Sequence, residues 1–366
     1  MITSAAIIIS VVLITELAAW IFLIAKNNAP PIKTKKEYSV TLIIPFKNES
    51  DNLQKWIQWI KSQKELPSSI LFINDNSEDG GENYVKTFAN QYRSRNNHST
   101  VIKCYDLPQG QNGKKAAIAY GIESTESTYI LTMDADVEPA DSFFESLSEL
   151  NFAPLNLFPV EMRWTNNSFA AIIGGMEHKI LQSQNFLFAS LTIMTASGAN
   201  MLFSRKHYKE FCNGEMLEPI PSGDDHYFLR AFQSKSVPIA VSGNQNLKVT
   251  TNSPVDCIGY FNQRTRWLGK LFRKADWRDW TIGSVLCLVI YSSAIFLIGA
   301  VLSGSVAFFL GCLFLVTLMY YIPILVFTNS VSIKDILGAL LMAVCYPIVF
   351  STVFIVAMIR PIPNWK

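Results

Sequence analysis

An excess of charge of either sign is the first thing this sequence lacks. Its 366 residues carry 31 lysines and arginines against 29 aspartates and glutamates, a formal net charge of +2, so nothing in the charge balance argues for nucleic acid as a partner. Cysteine is scarce and unpatterned. The six cysteines show neither a C-x-x-C pair nor zinc-ligand spacing, and Cys287, Cys312 and Cys345 sit inside long apolar runs. They read as small apolar residues in a reducing compartment. Internal repeats and low-complexity tracts are also missing. Apolar residues, by contrast, make up 49% of the chain and are unevenly placed. Residues 5–25 are nearly continuous apolar sequence, and three further stretches of spanning length follow Trp280, at 282–302, 305–327 and 336–358.

The first apolar run precedes Lys26 and has no positive n-region before it, so it reads as an uncleaved anchor and not as a signal peptide. Lys26, Lys33, Lys35 and Lys36 place the following segment in the cytoplasm by the positive-inside rule. Lys334, between the last two runs, agrees with that orientation, whereas Arg360 and Lys366 oppose it. Glu16 inside the first run is costly in lipid and so faces protein or lies near the interface. The expected organisation is an N-terminal transmembrane anchor (1–32), a soluble α/β domain (33–255), an interfacial amphipathic segment (256–280) and a C-terminal membrane domain of three helices (281–366).

Within the α/β segment three apolar runs end in polar residues. Val40-Thr-Leu-Ile-Ile-Pro45 leads into Phe46-Lys-Asn-Glu49, Ile70-Leu-Phe-Ile73 into Asn74-Asp75, and Tyr129-Ile-Leu-Thr-Met133 into Asp134-Ala-Asp136. Helical patterns alternate with them. Residues 50–61 set Leu53, Trp56, Ile57 and Ile60 on one face, with Asn48, Ser50 or Asp51 available as cap; 116–123 and 141–150 are further candidates. Such alternation predicts a parallel sheet whose ligand sits outside the carboxyl ends of the strands, with 46–49, 74–77 and 134–136 side by side. Further on, 195–203 reads as a strand with a polar turn, and Pro221-Ser-Gly-Asp224-Asp225-His226 as a helix start. Residues 258–273 form a pattern in which Arg264, Arg266, Lys270 and Arg273 interleave with Phe261, Trp267, Leu268 and Phe272, which suits a membrane surface.

The chemistry concentrates in four places. Asp134 and Asp136, two carboxylates around a small residue at a strand end, can hold a divalent cation against a diphosphate, or form a solvated acidic turn. Gly110-Gln-Asn-Gly113-Lys114-Lys115 before a helix can receive an anion, though it lacks the spacing and Ser/Thr of a phosphate loop; an ordinary basic loop is the alternative. Asp224-Asp225 either caps a helix or supplies a general base for an attacking hydroxyl. Gln263 and Arg266 share a helix face and Trp267 offers an aromatic wall to a sugar or lipid, or anchors an interfacial helix.

Taken in order, Pro45-x-x-Asn48-Glu49, Asp75, Gly113-Lys114, Asp134-Ala-Asp136, Ser197-Gly-Ala-Asn200, Asp224-Asp225 and Gln263-x-x-Arg266-Trp267 resemble the membrane-bound family 2 glycosyltransferases. Cellulose and hyaluronan synthases, ceramide glucosyltransferases and bacterial lipid glycosyltransferases share this pattern. The resemblance covers residues 40–270 and implies a GT-A (nucleotide-diphospho-sugar transferase, Rossmann-like) α/β fold. It also implies a nucleotide-sugar donor, with a UDP-sugar expected, and inverting transfer dependent on Mg²⁺ or Mn²⁺. Asp75 would contact the nucleoside base, with Glu49 a lesser contact. Asp134 would contact the nucleotide and Asp136 the metal, and Lys114 would sit near the diphosphate or uracil. Asp225, beside Asp224, would be the base, and Gln263, Arg266 and Trp267 would close over donor and acceptor sugar.

Three departures bear on this. Asn74-Asp75-Asn76-Ser77 keeps one carboxylate where the family has Asp-Asp-Gly-Ser, Asp224 replaces the family's glutamate, and the gating segment of cellulose synthases is missing. The expected acceptor is a membrane lipid hydroxyl, the catalytic domain facing the cytoplasm at the inner membrane. A processive polysaccharide synthase adding to a growing glycan is the alternative within the family, and a degenerate membrane-tethered nucleotide-sugar-binding protein the alternative outside it. A transporter fits poorly, because the ordered motifs lie in the polar half of the chain.

Overall fold

The computed structural model describes residues 2–27, 38–95, 100–189, 193, 195–212, 224–273, 277–328 and 332–359. The described residues form two compact units, each assembled from separate stretches of sequence: those within 38–161 and 195–252 in one, and those within 2–27, 162–193 and 253–359 in the other.

The first unit is built on a seven-stranded mixed sheet. Strand β1 (Val40–Phe46) lies between β2 (Ser69–Asn74) and β4 (Tyr129–Met133), parallel to both, with β3 (Val101–Asp106) parallel to β2 at the edge. On the far side of β4 come β8 (Asn200–Ser204), antiparallel, then β6 (Leu155–Leu157) and β9 (Ile239–Val241). The order is β3-β2-β1-β4-β8-β6-β9. Every residue of β1 is buried, as a central strand covered on both faces requires. A small sheet adds β5 (Glu138–Pro139), β10 (Val249–Asn252) and β7 (Val160–Arg163).

Helices α2 (Ser50–Ser62), α3 (Gly81–Arg95) and α4 (Lys114–Glu123) follow β1, β2 and β3. Later come α5 (Phe143–Ser148), α7 (Arg205–Cys212) and α8 (Asp224–Ser234). The α2 face buries Leu53, Trp56 and Ile60 as its spacing predicts, with Ile57 only partly covered. Its cap differs from expectation. None of Asn48, Ser50 and Asp51 caps it; the Ser50 amide donates instead to Asp79 Oδ2 at 2.7 Å, while Asn48, at φ 55°, accepts from the Glu78 amide. A carboxylate distant in sequence therefore satisfies an orphan helix donor. Helix α4 begins two residues before the expected 116, and α5 is shorter than the expected 141–150.

The second unit holds α1 (Ile2–Asn27), α6 (Phe169–Leu187), α9 (Cys257–Arg273), α10 (Trp277–Leu302), α11 (Val306–Thr328) and α12 (Ile333–Ile359). Helices α10, α11 and α12 are long and apolar enough to cross a membrane. Helix α1, where the N-terminal anchor is expected, runs Ile2–Asn27, and its apolar stretch among the described residues is Thr3–Ala18. Glu16 is buried in protein. Lys33, Lys35, Lys36, Arg360 and Lys366, on which the orientation argument rests, lie outside the described residues.

The continuous domain expected over 33–255 is also interrupted. Residues 162–194 cluster with the terminal helices, because α6 buries Ala170, Ile173, Met176 and Ile180 in one core with residues of α9, α11 and α12. Lys179 of α6 pairs with Asp335 of α12 at 2.7 Å.

Candidate active site

The parallel order β3-β2-β1-β4 sets the carboxyl ends of these strands in a row, and the expected donor residues leave from them. Asp75, one residue past β2, is fully buried. Its amide donates to the Phe46 carbonyl, its Oδ2 accepts from the Gly113 amide at 2.9 Å, and its Oδ1 accepts from Asn76 Nδ2. The carboxylate thus ties the end of β2 to the loop that opens α4. Gly113 holds φ 91°, a conformation that glycine adopts without a steric cost. Next to it, Asn74 donates to Asp106 Oδ1 at 2.9 Å, and Asp106 pairs with Lys86 at 2.8 Å.

Lys114, the first residue of α4, forms an ion pair with Asp134 Oδ1 at the end of β4. The intervening Ala135 is buried, and its carbonyl accepts from Trp56 Nε1 of α2 at 3.0 Å, while Asp136 is exposed. One carboxylate of the Asp-Ala-Asp turn is therefore held by a cation, and the other is the more exposed of the two. Neutralising Asp134 with Lys114 lowers the repulsion that two adjacent carboxylates would otherwise exert.

The turn before β8 completes the cluster. A Cβ on Gly198 would lie 3.4 Å from Lys114 Nζ and 3.8 Å from Asp225 Cβ, so this glycine sits between the lysine and the aspartate. Asp225 Oδ2 accepts from the Gly198 amide at 3.4 Å and its Oδ1 from the His226 amide at 2.9 Å. Asn200, fully buried at the start of β8, donates to the carbonyls of Pro159 and Leu247 and fixes this turn from below.

The structure accordingly gathers Asp75, Gly113, Lys114, Asp134, Gly198 and Asp225 into one chain of contacts, with Asp136 two residues from Asp134. Glu49 is not drawn into it: from just before α2, its Oε2 accepts from Asn52 of that helix at 2.7 Å. Asp224 opens α8, but its side chain, like residues 221–223, lies outside the described residues.

Gln263, Arg266 and Trp267 lie on α9 in the other unit, each half-buried. The residue that sequence reasoning missed is their neighbour. Arg264, expected with the basic residues of a membrane-surface face, is only 2% exposed and pairs with Glu177 of α6. Its place in the Gln-Arg-Thr-Arg-Trp run gave no sign that it faces inward.

Among the described residues no group of three His, Cys, Asp or Glu side chains could by itself enclose a metal ion. The available donor set is the Asp134 and Asp136 pair. Two carboxylates, completed by substrate phosphate oxygens and water, are the usual ligation of Mg²⁺ and Mn²⁺ in phosphate-handling sites, so the residues fit a cation shared with a diphosphate.

Comparison with known proteins bears on the family and the fold. Residues 41–212 match the glycosyl transferase family 2 model. The chain is similar to glycosyltransferase AglE of Haloferax volcanii, 28% identical over 137 residues, 36% of this chain and 42% of that protein. It is likewise similar to the poly-beta-1,6-N-acetyl-D-glucosamine synthase of Staphylococcus aureus, 23% identical over 255 residues, 66% of this chain and 56% of that one. The chain thus spans about half the length of the curated relatives it matches. Among solved structures, the mannosyltransferase PcManGT from Pyrobaculum calidifontis, in complex with GDP-Man and Mn²⁺, superposes with a TM-score of 0.54 at 14% identity. That match covers 94% of this chain and 99% of the other, and shows a shared fold. Sheet order, motif order and family match converge: the chain carries a glycosyl transferase family 2 domain of GT-A fold.

Proposed function

We propose that the protein transfers a sugar, with inversion, from a nucleotide-sugar donor to a hydroxyl of a membrane lipid at the cytoplasmic face of the cell membrane, with a UDP-sugar as donor. The observation that carries this reading is the position of Lys114, which pairs with Asp134 on one side and lies against the Gly198–Asp225 contact on the other. A cation for the diphosphate and a carboxylate for the acceptor then belong to one site.

Asp225 serves as the base. Two backbone amides fix its carboxylate, so it is oriented before the acceptor arrives, and it takes the proton of the attacking hydroxyl as the new glycosidic bond forms. Lys114 exchanges part of its pairing with Asp134 for the donor diphosphate and offsets its charge. Asp75 holds the Gly113 loop against the strand end where the nucleoside binds. Asp134 and Asp136 would hold Mg²⁺ or Mn²⁺, which when bound stabilises the departing diphosphate. Gln263, Arg266 and Trp267 serve donor and acceptor sugar. A lipid acceptor suits a unit that carries three helices of spanning length.

A second reading, processive synthesis of a polysaccharide, is favoured by the likeness to the S. aureus synthase. One experiment separates the two. Detergent-purified protein is incubated with UDP- and GDP-sugars, Mn²⁺ or Mg²⁺ and a membrane lipid extract, and the products are sized by mass spectrometry. A single-sugar lipid adduct that disappears in Asp136→Ala supports the lipid transferase. A ladder of sugars supports the synthase, and binding of donor with no turnover on any acceptor would mean a degenerate domain.

A further inference from the structure

Arg264 is a charged side chain with no place in the reaction above, and it is among the most deeply buried large residues of the protein. Helix periodicity explains its contacts. From the third turn of α9 it reaches Gln263 beside it, and residues three and four positions away along the same helix. Its Nη1 donates to Gln263 Oε1 at 2.6 Å, and its guanidinium lies 4.4 Å from the centre of the Trp267 ring and 5.0 Å from that of Tyr260.

The charge is anchored from a second helix. Arg264 Nε donates to Glu177 Oε2 of α6, and Nη2 donates to the Gly174 carbonyl at 3.0 Å. Tyr260 gives its hydroxyl proton to the same carboxylate oxygen at 3.1 Å, and Tyr346 of α12 gives its own to Oε1 at 2.9 Å. A buried ion pair persists only where its remaining donors and acceptors are satisfied, and here three helices supply them. Burial works against the Arg264 charge, yet the Glu177 carboxylate and the tyrosines hold its pKa above the ordinary value. Gly174 packs close to this cluster: a Cβ there would stand 3.2 Å from Pro254 Cδ and in van der Waals contact with Tyr260 and Arg264 Nη2, at 3.4 and 3.6 Å.

We propose that Arg264 is a positioning residue, a buried guanidinium that sets the side chains of Gln263 and Trp267 together and references both to α6 and α12 through Glu177. One chemical consequence follows for Gln263. A guanidinium has only donors, so the amide atom facing it is the oxygen, and the group Gln263 offers a ligand is its NH₂. Gln263 therefore recognises an acceptor atom, such as a sugar hydroxyl or phosphate oxygen. Lysine cannot replace the arginine: a single ammonium satisfies Glu177 but lacks the planar fork that reaches the Gln263 oxygen while stacking on Trp267. This inference rests on the reading that Gln263 and Trp267 serve sugar transfer, and its test has one arm that does not.

That arm places 5-fluorotryptophan in the full-length detergent-solubilised protein, assigns the Trp267 fluorine resonance with Trp267→Phe, and compares wild type with Arg264→Lys. A shifted or split Trp267 line, with the Trp56 and Trp59 lines unmoved, is expected; an unmoved Trp267 line would overturn the proposal. The second arm measures turnover of the same proteins on the best donor of the UDP- and GDP-sugar panel. At least a tenfold loss of kcat in Arg264→Lys is expected, with the thermal midpoint near wild type. A folded Arg264→Lys protein with unchanged kcat also overturns it. Should Arg264→Lys fail to fold, Gln263→Glu keeps the Arg264 contact and removes the NH₂: at least a tenfold loss of turnover supports the proposal, and full turnover refutes it. Absence of turnover in the wild type sinks the transferase reading alone, and the fluorine line still decides whether Arg264 positions Trp267.

Discussion

At the scale of single residues, the carboxylates of the catalytic unit are separated by what holds them. Asp225 is oriented by the amides of Gly198 and His226, contacts that an asparagine can keep in part through its carbonyl oxygen. Asp225→Asn should therefore preserve the fold and remove the base. Turnover is expected to fall about 10²- to 10⁴-fold, with the thermal midpoint within a few degrees of wild type; a folded variant with full turnover would rule out this role. Asp106 makes a different prediction. Burial raises its pKa, but the hydrogen bonds from Lys86 and Asn74 outweigh burial and hold it below the ordinary carboxylate value. The Asp106 hydrogen bond in turn raises Lys86. A carboxylate depressed in the folded state stabilises above its unfolded pKa and loses that contribution as pH falls through the folded one. A raised lysine stabilises below its unfolded pKa and loses its contribution as pH rises through the folded one. The pair is half exposed, so its worth at neutral pH is about 0.2–1 kcal/mol. Thermal melts of Asp106→Asn should show that deficit at pH 7 and a vanishing one as pH drops below the carboxylate range; a deficit that grows in acid would contradict this account.

At the scale of elements, the donor loop is placed by the fit of α4 against β1. A Cβ on Gly121 would come within 2.9 Å of both branches of the Ile43 side chain, and Ile43 is fully buried in the central strand. Gly121→Ala must push the helix outward. The expected cost is about 1–3 kcal/mol from overpacking, together with a raised KM for the donor, because Lys114 and the Gly113 amide move with the start of α4. Ile43→Val in the same chain should restore part of both losses. Loss of stability without any change in KM would show that the loop is held independently of the helix. The elements were also where the sequence was most and least legible. Strands β1, β2 and β4 could be read because each is a short apolar run bounded by polar residues, and their side-by-side ends follow from parallel order. The cap of α2 could not be read, since the Asp79 carboxylate that replaces it lies 29 positions from Ser50. Arg264 was misplaced for the same reason: helix spacing gives the faces, but the partner that makes one face an interior, Glu177, is 87 positions away.

At the scale of the whole molecule, neither unit is one continuous piece of sequence. A fragment of residues 33–255, the domain a reader of the sequence would cut, carries α6 without the helices that bury it. Ala170, Ile173, Met176 and Ile180 would then be exposed, and Gly338 of α12, which lets Met176 approach to within 2.7 Å of where a Cβ would stand, would be missing. Exposed apolar area of that kind drives association. The fragment is expected to aggregate or pellet with membranes, while the full chain in detergent elutes as a single species. A soluble, monomeric fragment with bound nucleotide would show that α6 does not need the terminal helices.

By itself the sequence determined the class of fold and of enzyme, because the alternation of short apolar runs with helical patterns and the order of the motifs along the chain are legible without knowing which distant residues meet. Tertiary structure alone decided that Lys114 pairs with Asp134 and links it to the Gly198–Asp225 turn, and that Arg264 and α6 are interior to the helical unit. Those outcomes depend on burial and charge pairing between residues far apart along the chain, and burial is a property of the packed molecule.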